Sequence, residues 1–153
     1  MWTRRPIGGC SASIANMRLS LGMVGGGEGA FIGAVHRMAA RLDGRWTLAA
    51  GAFSSDAGRS RAFGGALGLA EDRCYGDWRA MAEAEAARPD PIDAVAIVTP
   101  NHLHHGPARA FLDAGIAVIC DKPLTTRLAD AVDLAETVAR TGIPFVLTHN
   151  YSG

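Results

Sequence analysis

A cluster of glycines between an apolar run and an amphipathic one restricts the fold more than any other feature. Residues 19–24 are mostly apolar, Gly25-Gly26-Gly27-Glu28-Gly29 follows at once, and apolar residues then recur at helical spacing up to Leu42. The first run is typical of a strand and the second of a helix with one apolar face. A strand that passes through a glycine turn directly into a helix opens a β-α-β unit. The pattern therefore predicts parallel strands joined by crossover helices.

Short apolar runs and longer amphipathic ones alternate along the rest of the chain, as a sheet covered on both faces requires. The predicted fold class is α/β, a doubly wound parallel sheet of the Rossmann type with three layers, α/β/α. Asp77 and Thr126 are expected to cap two helices, and Gly142 is expected to end the last one. Six strands are predicted, over residues 19–24, 46–53, 74–75, 94–98, 117–120 and 145–147.

Size, charge and cysteine usage limit the possible partners. The 153 residues suffice for one domain, and 15 basic residues balance 15 acidic ones. A balanced charge favours neither nucleic acid nor a membrane surface as a partner, and no run approaches the roughly 20 apolar residues of a membrane span. The three cysteines lack the paired spacing of disulfide frameworks or metal sites. We therefore expect a cytoplasmic protein with reduced thiols and no bound metal.

The glycine turn has the composition of a dinucleotide-binding loop. In the G-x-G-x-x-G/A pattern, Gly25 permits the tight turn, Gly27 admits a pyrophosphate, and Ala30 allows close packing of helix and strand. Phe31 and Ile32 open the helix, whose N-terminal N–H groups and partial positive charge attract phosphate. Gly33 offers a second register with a longer loop, and both registers remain open. The alternative to a binding loop is a structural turn in an α/β protein that binds no nucleotide.

The end of the second predicted strand bears on the choice between NAD and NADP. An acidic residue usually meets the adenosine ribose there, but this chain has Phe53-Ser54-Ser55, with Arg59 nearby. Ser54 and Arg59 suit a 2′-phosphate, so NAD and NADP both remain candidate cofactors. The alternative is that the arginine lies on a solvated helix face.

Two later stretches resemble one known family. Residues 93–104, DAVAIVTPNHLH, and residues 114–124, AGIAVICDKPL, resemble the glucose–fructose oxidoreductase, inositol dehydrogenase and MocA family, including its Glu-Lys-Pro signature. Together with the glycine turn, the resemblance covers residues 18–153. It implies an NAD(P)-dependent oxidoreductase whose nucleotide domain is residues 18–153. Residues 1–17 are interpreted as a disordered or spurious extension, with Met17 as an alternative start.

The resemblance also implies roles for particular residues. Thr99, Pro100, Asn101 and His104 would border the nicotinamide side of the cofactor. Lys122 would lie near the nicotinamide ribose and the substrate, where it is the candidate catalytic residue. Further contacts are expected from Asp121, which replaces the family's glutamate and is shorter by one methylene, and from Pro123, whose bond to Lys122 is often cis in the family. The alternatives are that His104 caps the following helix and that Lys122 is a surface lysine.

The resemblance implies that catalysis needs more than this chain. In the family, the acid–base residues come from a second α+β domain, which also supplies the surface for oligomer formation. A sugar or polyol is the expected substrate of the full-length enzyme. The alternatives are a dinucleotide-binding or sensing module without catalysis, and a fold that binds nothing.

Overall fold

The computed structural model describes residues 18–149, which form one five-stranded parallel sheet. The strands run in the order β2-β1-β3-β4-β5, which confirms the doubly wound α/β prediction. Their bounds are β1 Leu19–Gly25, β2 Trp46–Ala52, β3 Ala94–Val98, β4 Ala117–Asp121 and β5 Phe145–Thr148. The helices are α1 Phe31–Leu42, α2 Ala57–Ala66, α3 Trp78–Ala87, α4 His105–Asp113 and α5 Leu128–Thr141.

Two sequence predictions about these elements were wrong. Within the described residues the sheet has five strands and not six, because residues 74–75 form only a single bridge between Cys74 and Gly51. That segment follows a short 3-10 turn and leads at once into α3, so it has no length for further pairing. Thr126 does not cap α5, since Arg127 takes the extended N-cap position without a side-chain hydrogen bond.

Other local predictions were confirmed. The Asp77 side chain accepts hydrogen bonds from the backbone N–H groups of Arg79 (2.8 Å) and Ala80 (3.0 Å), so it caps α3. Gly142 ends α5 with φ of 68°, a left-handed conformation that favours glycine. Every residue of β3 is buried, as expected for a central strand with helices over both faces.

The sheet carries an apolar core on each face. One core joins the sheet to α3, α4 and α5 through Met81, Phe111 and Leu134. The other joins it to α1 and α2 and is centred on Met23 and Phe53. The second core is smaller, because α1 and α2 cover the β1–β2 side and leave the β4–β5 side open.

The open side exposes apolar surface. Val146 on β5 is 53% exposed, and Phe31 and Leu42 on α1 are more than 80% exposed. A cavity of about 400 Å³ lies between α1 and β4–β5, with His36 and Asp121 among its lining residues. Burial lowers the pKa of His36, and the nearby Asp121 charge opposes that shift. None of the helices within residues 18–149 is long and apolar enough to cross a membrane.

A charged side chain lies fully buried within the larger core. Both carboxylate oxygens of Glu85 accept hydrogen bonds from the Arg73 guanidinium, at 3.1 and 2.6 Å. The Tyr75 hydroxyl donates to Glu85 at 2.8 Å, and the Ile92 backbone N–H donates at 3.1 Å. Burial and the bond to Glu85 raise the pKa of Tyr75 to about 12. This network ties α3 to the segments before and after it.

Candidate functional site

A cleft of about 820 Å³ opens where β1, β2 and β3 end. This is the carboxyl edge of the sheet, and the strand order changes direction there between β1 and β3. Ligands of open α/β sheets bind at such a switch point. The loop from β1 to α1 forms one wall, with the ends of β2 and β3 on either side of it.

The glycine turn is held against α1 by direct backbone contact. A Cβ at Gly33 would lie 2.4 Å from Gly26 Cα, so only glycine permits this approach. Arg37, one turn further along α1, donates a hydrogen bond of 2.8 Å to the Gly26 carbonyl. The structure therefore gives the close-packing role to Gly33, the position that the longer register uses. Ala30 instead stands at the N-cap of α1 and lines the cleft.

The N-terminus of α1 is prepared to receive an anion. Its N-cap, Ala30, has no side chain that could bond to the first N–H groups, and the first turn holds no acidic residue. A 12-residue helix with such an N-terminus presents unsatisfied donors and a partial positive charge. Gly27 brings the glycine turn close to the end of β2, because a Cβ there would lie 2.6 Å from the Phe53 carbonyl oxygen.

The β2 end of the cleft contains serine and arginine. Ser54 and Arg59 line it, and Arg79 joins them from α3. The Arg79 guanidinium lies 4.1 Å from the centre of the Trp78 ring. The carboxylate of Asp56 caps α2 by accepting from the Arg59 backbone N–H at 2.8 Å, and Asp56 does not line the cleft. A phosphate at this end would therefore meet guanidinium groups.

The β3 end of the cleft holds an unsatisfied hydroxyl. Thr99 Oγ1 is buried and has no hydrogen-bond partner among residues 18–149. Buried polar atoms rarely lack a partner, and those that do often mark a ligand site. Thr99 lines the cleft beside Pro100 and Leu103.

The segment after β4 lies next to this end but outside the cleft lining. Asp121 accepts a hydrogen bond of 2.9 Å from the Thr148 hydroxyl on β5. The bond between Lys122 and Pro123 is cis, as the family resemblance implied. Cys120, just before them, is fully buried, and this burial, together with the Asp121 charge, raises the pKa of its thiol to about 12.

The structure brings together most of the predicted binding residues. Lining the cleft are Gly25, Gly27, Ala30, Ile32, Ser54, Arg59, Thr99 and Pro100. Outside its lining lie Phe31, which is 81% exposed, and Asn101, His104, Asp121, Lys122 and Pro123. The side chain of His104 is fully buried and makes no capping bond, so the helix-cap alternative was wrong.

Sequence reasoning missed several residues of the site. The sequence did not predict that Trp78 and Arg79 line the cleft. The Asp77 cap does indicate that α3 begins at these residues. The contact of Arg37 with the glycine turn could have been predicted from the sequence, because Arg37 lies four residues after Gly33 and so shares its helix face. Within residues 18–149, no group of three or more metal-binding side chains comes together.

Comparison with known proteins identifies the family. A family model described as an oxidoreductase family with an NAD-binding Rossmann fold matches residues 19–149. The chain belongs to this family. It is the glucose–fructose oxidoreductase, inositol dehydrogenase and MocA family that residues 93–124 resemble.

Individual relatives agree with this assignment. An oxidoreductase from Sinorhizobium meliloti is 54% identical, with a TM-score of 0.83 over 89% of this chain and 38% of that one. An inositol dehydrogenase homologue from Azotobacter vinelandii, solved with NADH and myo-inositol, is 43% identical, with a TM-score of 0.85 over 90% of this chain and 36% of that one. An uncharacterised oxidoreductase of Bacillus subtilis is 38% identical over 92% of this chain and 36% of its own length. The chain thus spans little more than a third of these relatives.

The cleft fits the cofactor that the family binds. A dinucleotide needs a close backbone approach for its pyrophosphate, and Gly25, Gly26 and Gly27 line the cleft without side chains. It also needs donors for the phosphates, which the uncapped N-terminus of α1 supplies.

Proposed function

We propose that this chain binds NAD(H) or NADP(H) in the cleft and forms the cofactor-binding part of an oxidoreductase that acts on a sugar or polyol. The observation that carries the proposal is the uncapped N-terminus of α1 facing a glycine turn in a cleft at the switch point. In the whole protein, the bound nicotinamide would accept or supply the hydride. The sugar or polyol class is supported by the myo-inositol in the Azotobacter homologue.

Residues of this chain would divide the cofactor between them. The backbone N–H groups that follow Ala30 would bind the pyrophosphate, while Ser54 and Arg59 would bind the adenosine ribose or its 2′-phosphate. Thr99 and Pro100 would border the nicotinamide half at the opposite end. Lys122 would orient the nicotinamide ribose and the substrate, as the family resemblance implies. A positively charged group held in place, such as Lys122, stabilises the negative charge that develops in a transition state.

Calorimetric titration of the purified chain with NADH and with NADPH tests the proposal. We expect saturable binding with one site per chain and a dissociation constant in the micromolar range. ADP-ribose should compete with both cofactors, because it shares their pyrophosphate and adenosine. Absence of heat on titration of a chain shown by circular dichroism to be folded would contradict the proposed function.

A carboxylate at the tip of β2 should make the site reject NADPH. In Ser54→Asp, the new charge would lie beside the adenosine ribose, and its repulsion of a 2′-phosphate is expected to weaken NADPH binding about 100-fold. NADH should bind as well as before or better, because the carboxylate accepts hydrogen bonds from the ribose hydroxyls. The measurement is the ratio of the two dissociation constants.

Ser54→Asn is the matched control for this substitution. It has nearly the same shape as the aspartate variant but no charge, so we expect its ratio of NADPH to NADH affinity to stay near that of the unmodified chain. An unchanged ratio in Ser54→Asp would show that the adenosine end of the cofactor lies elsewhere.

A further inference from the structure

A buried imidazole joins the two loops that follow β3 and β4. His104 has no exposed surface, and its ring lies between two backbone carbonyl groups. Nδ1 is 2.7 Å from the carbonyl oxygen of Pro123, and Nε2 is 3.0 Å from that of Thr99. Both partners are acceptors, so a ring nitrogen that carries a proton donates to a carbonyl.

This arrangement exceeds what packing alone requires. An apolar side chain would fill the same space without placing a polar ring in the interior, which is costly unless the ring is hydrogen-bonded. The ring does not cap α4, as no side-chain hydrogen bond reaches that N-terminus. Its two contacts instead join residues that are 24 positions apart in sequence and belong to neighbouring strand ends.

One of the two joined loops lines the β3 end of the cleft, and the other lies beside that end. Ser54 and Arg59 mark the adenosine end at β2, so the nicotinamide half would extend toward β3 and β4. Thr99 lines the cleft there, and Lys122 directly precedes Pro123. The His104 ring spans the gap between the Thr99 and Pro123 carbonyl groups, and thereby sets the distance between these loops.

We propose that His104 is a positioning residue for the nicotinamide half of the cofactor, a role that rests on the proposed function. It makes no contact with the cofactor. It fixes Thr99 and the Lys122–Pro123 segment relative to one another, so that both meet the nicotinamide riboside together. The adenosine and pyrophosphate contacts, on β2 and α1, do not depend on it.

Two ligands separate this role from a general structural one. NADH and ADP-ribose share the adenosine and pyrophosphate groups, but ADP-ribose lacks the nicotinamide. We would titrate NADH and ADP-ribose into the unmodified chain, His104→Leu and His104→Gln. His104→Leu keeps the bulk of the side chain and removes its hydrogen bonds. His104→Gln has a side-chain amide that can donate two hydrogen bonds. His102→Leu, an exposed histidine on the adjoining 3-10 turn, is the matched control.

We expect His104→Leu to bind NADH about ten-fold more weakly while its affinity for ADP-ribose stays within about two-fold. His104→Gln should restore most of the NADH affinity, and His102→Leu should match the unmodified chain. Because the comparison is between two ligands of one variant, a loss of stability in His104→Leu affects both alike. An equal loss for both ligands, or no loss for NADH, would overturn the positioning role. If the unmodified chain bound neither ligand, the proposed function itself would fail.

Discussion

The Gly27→Asp variant is expected to lose dinucleotide binding almost completely. Position 27 lies in the wall of the cleft beside the N-terminus of α1, where the pyrophosphate would bind. A carboxylate about 4 Å from a phosphate at an effective dielectric constant near 20 costs about 4 kcal/mol, or nearly three orders of magnitude in affinity. The Cβ atom adds steric conflict, because it would lie 2.6 Å from the Phe53 carbonyl oxygen. The measurement is calorimetric titration with NADH and NADPH.

Two control variants separate the causes of this loss. Gly65→Asp adds the same charge on the exposed surface of α2, where a Cβ meets nothing within 4 Å, and we expect it to bind like the unmodified chain. Gly27→Asn has the steric bulk without the charge, so it should retain more affinity than Gly27→Asp. Full binding by a folded Gly27→Asp would place the pyrophosphate outside the glycine turn.

Removal of the buried carboxylate should cause the largest loss of stability. In Glu85→Ala, the Arg73 guanidinium, the Tyr75 hydroxyl and the Ile92 N–H all lose their acceptor at once. Breaking a buried ion pair from one side typically costs about 3–5 kcal/mol. Arg73 keeps the Asp90 carbonyl oxygen (3.1 Å) and carboxylate (3.6 Å) as partners, so we expect a loss of about 3 kcal/mol, a large share of the roughly 5–15 kcal/mol that stabilises a domain. Equilibrium unfolding in urea measures the change in free energy.

The same helix supplies the control for this measurement. Glu83 lies two residues earlier on α3 and is exposed, so Glu83→Ala should change the free energy of unfolding by no more than about 0.5 kcal/mol. Glu85→Gln keeps the shape and some of the hydrogen bonds, and we expect it to fall between the two alanine variants. Equal midpoints for Glu83→Ala and Glu85→Ala would show that the Glu85 network adds nothing to stability.

The strands, the helices and the glycine turn were accessible from sequence because their signals are local. An apolar run such as Ala94–Val98 needs burial on both faces, and β3 has the predicted bounds with all five residues buried. Asp77 and Gly142 act through the backbone of their own turns, so their roles also follow from local chemistry. The family could be identified from the sequence because three separate motifs occur in a fixed order.

The remaining features depend on contacts between distant segments. The spacing of glycines could not decide between Ala30 and Gly33, because the deciding fact is the approach of Gly33 to Gly26 across the loop. Glu85 stands among alternating alanine and glutamate residues and looks like a solvated position, yet partners 10 and 12 residues earlier make it a buried one. The family resemblance predicted that His104 borders the cofactor. The contacts of its ring depend on the positions of two backbone carbonyl groups, which are visible only in the structure.

The interior position of β1, between β2 and β3, has a consequence for how the chain folds during synthesis. Its partners are β2, which follows soon after, and β3, whose segment begins more than 70 residues later: Ser20 bonds to Asp93 across 73 positions. While the chain leaves the ribosome, one edge of β1 therefore stays unpaired until Val98 has emerged. Such long-range pairing slows folding, since the loop must close before the contacts form. The glycine turn, although it is synthesised before β2 and β3, acquires its final cleft only when the third strand docks.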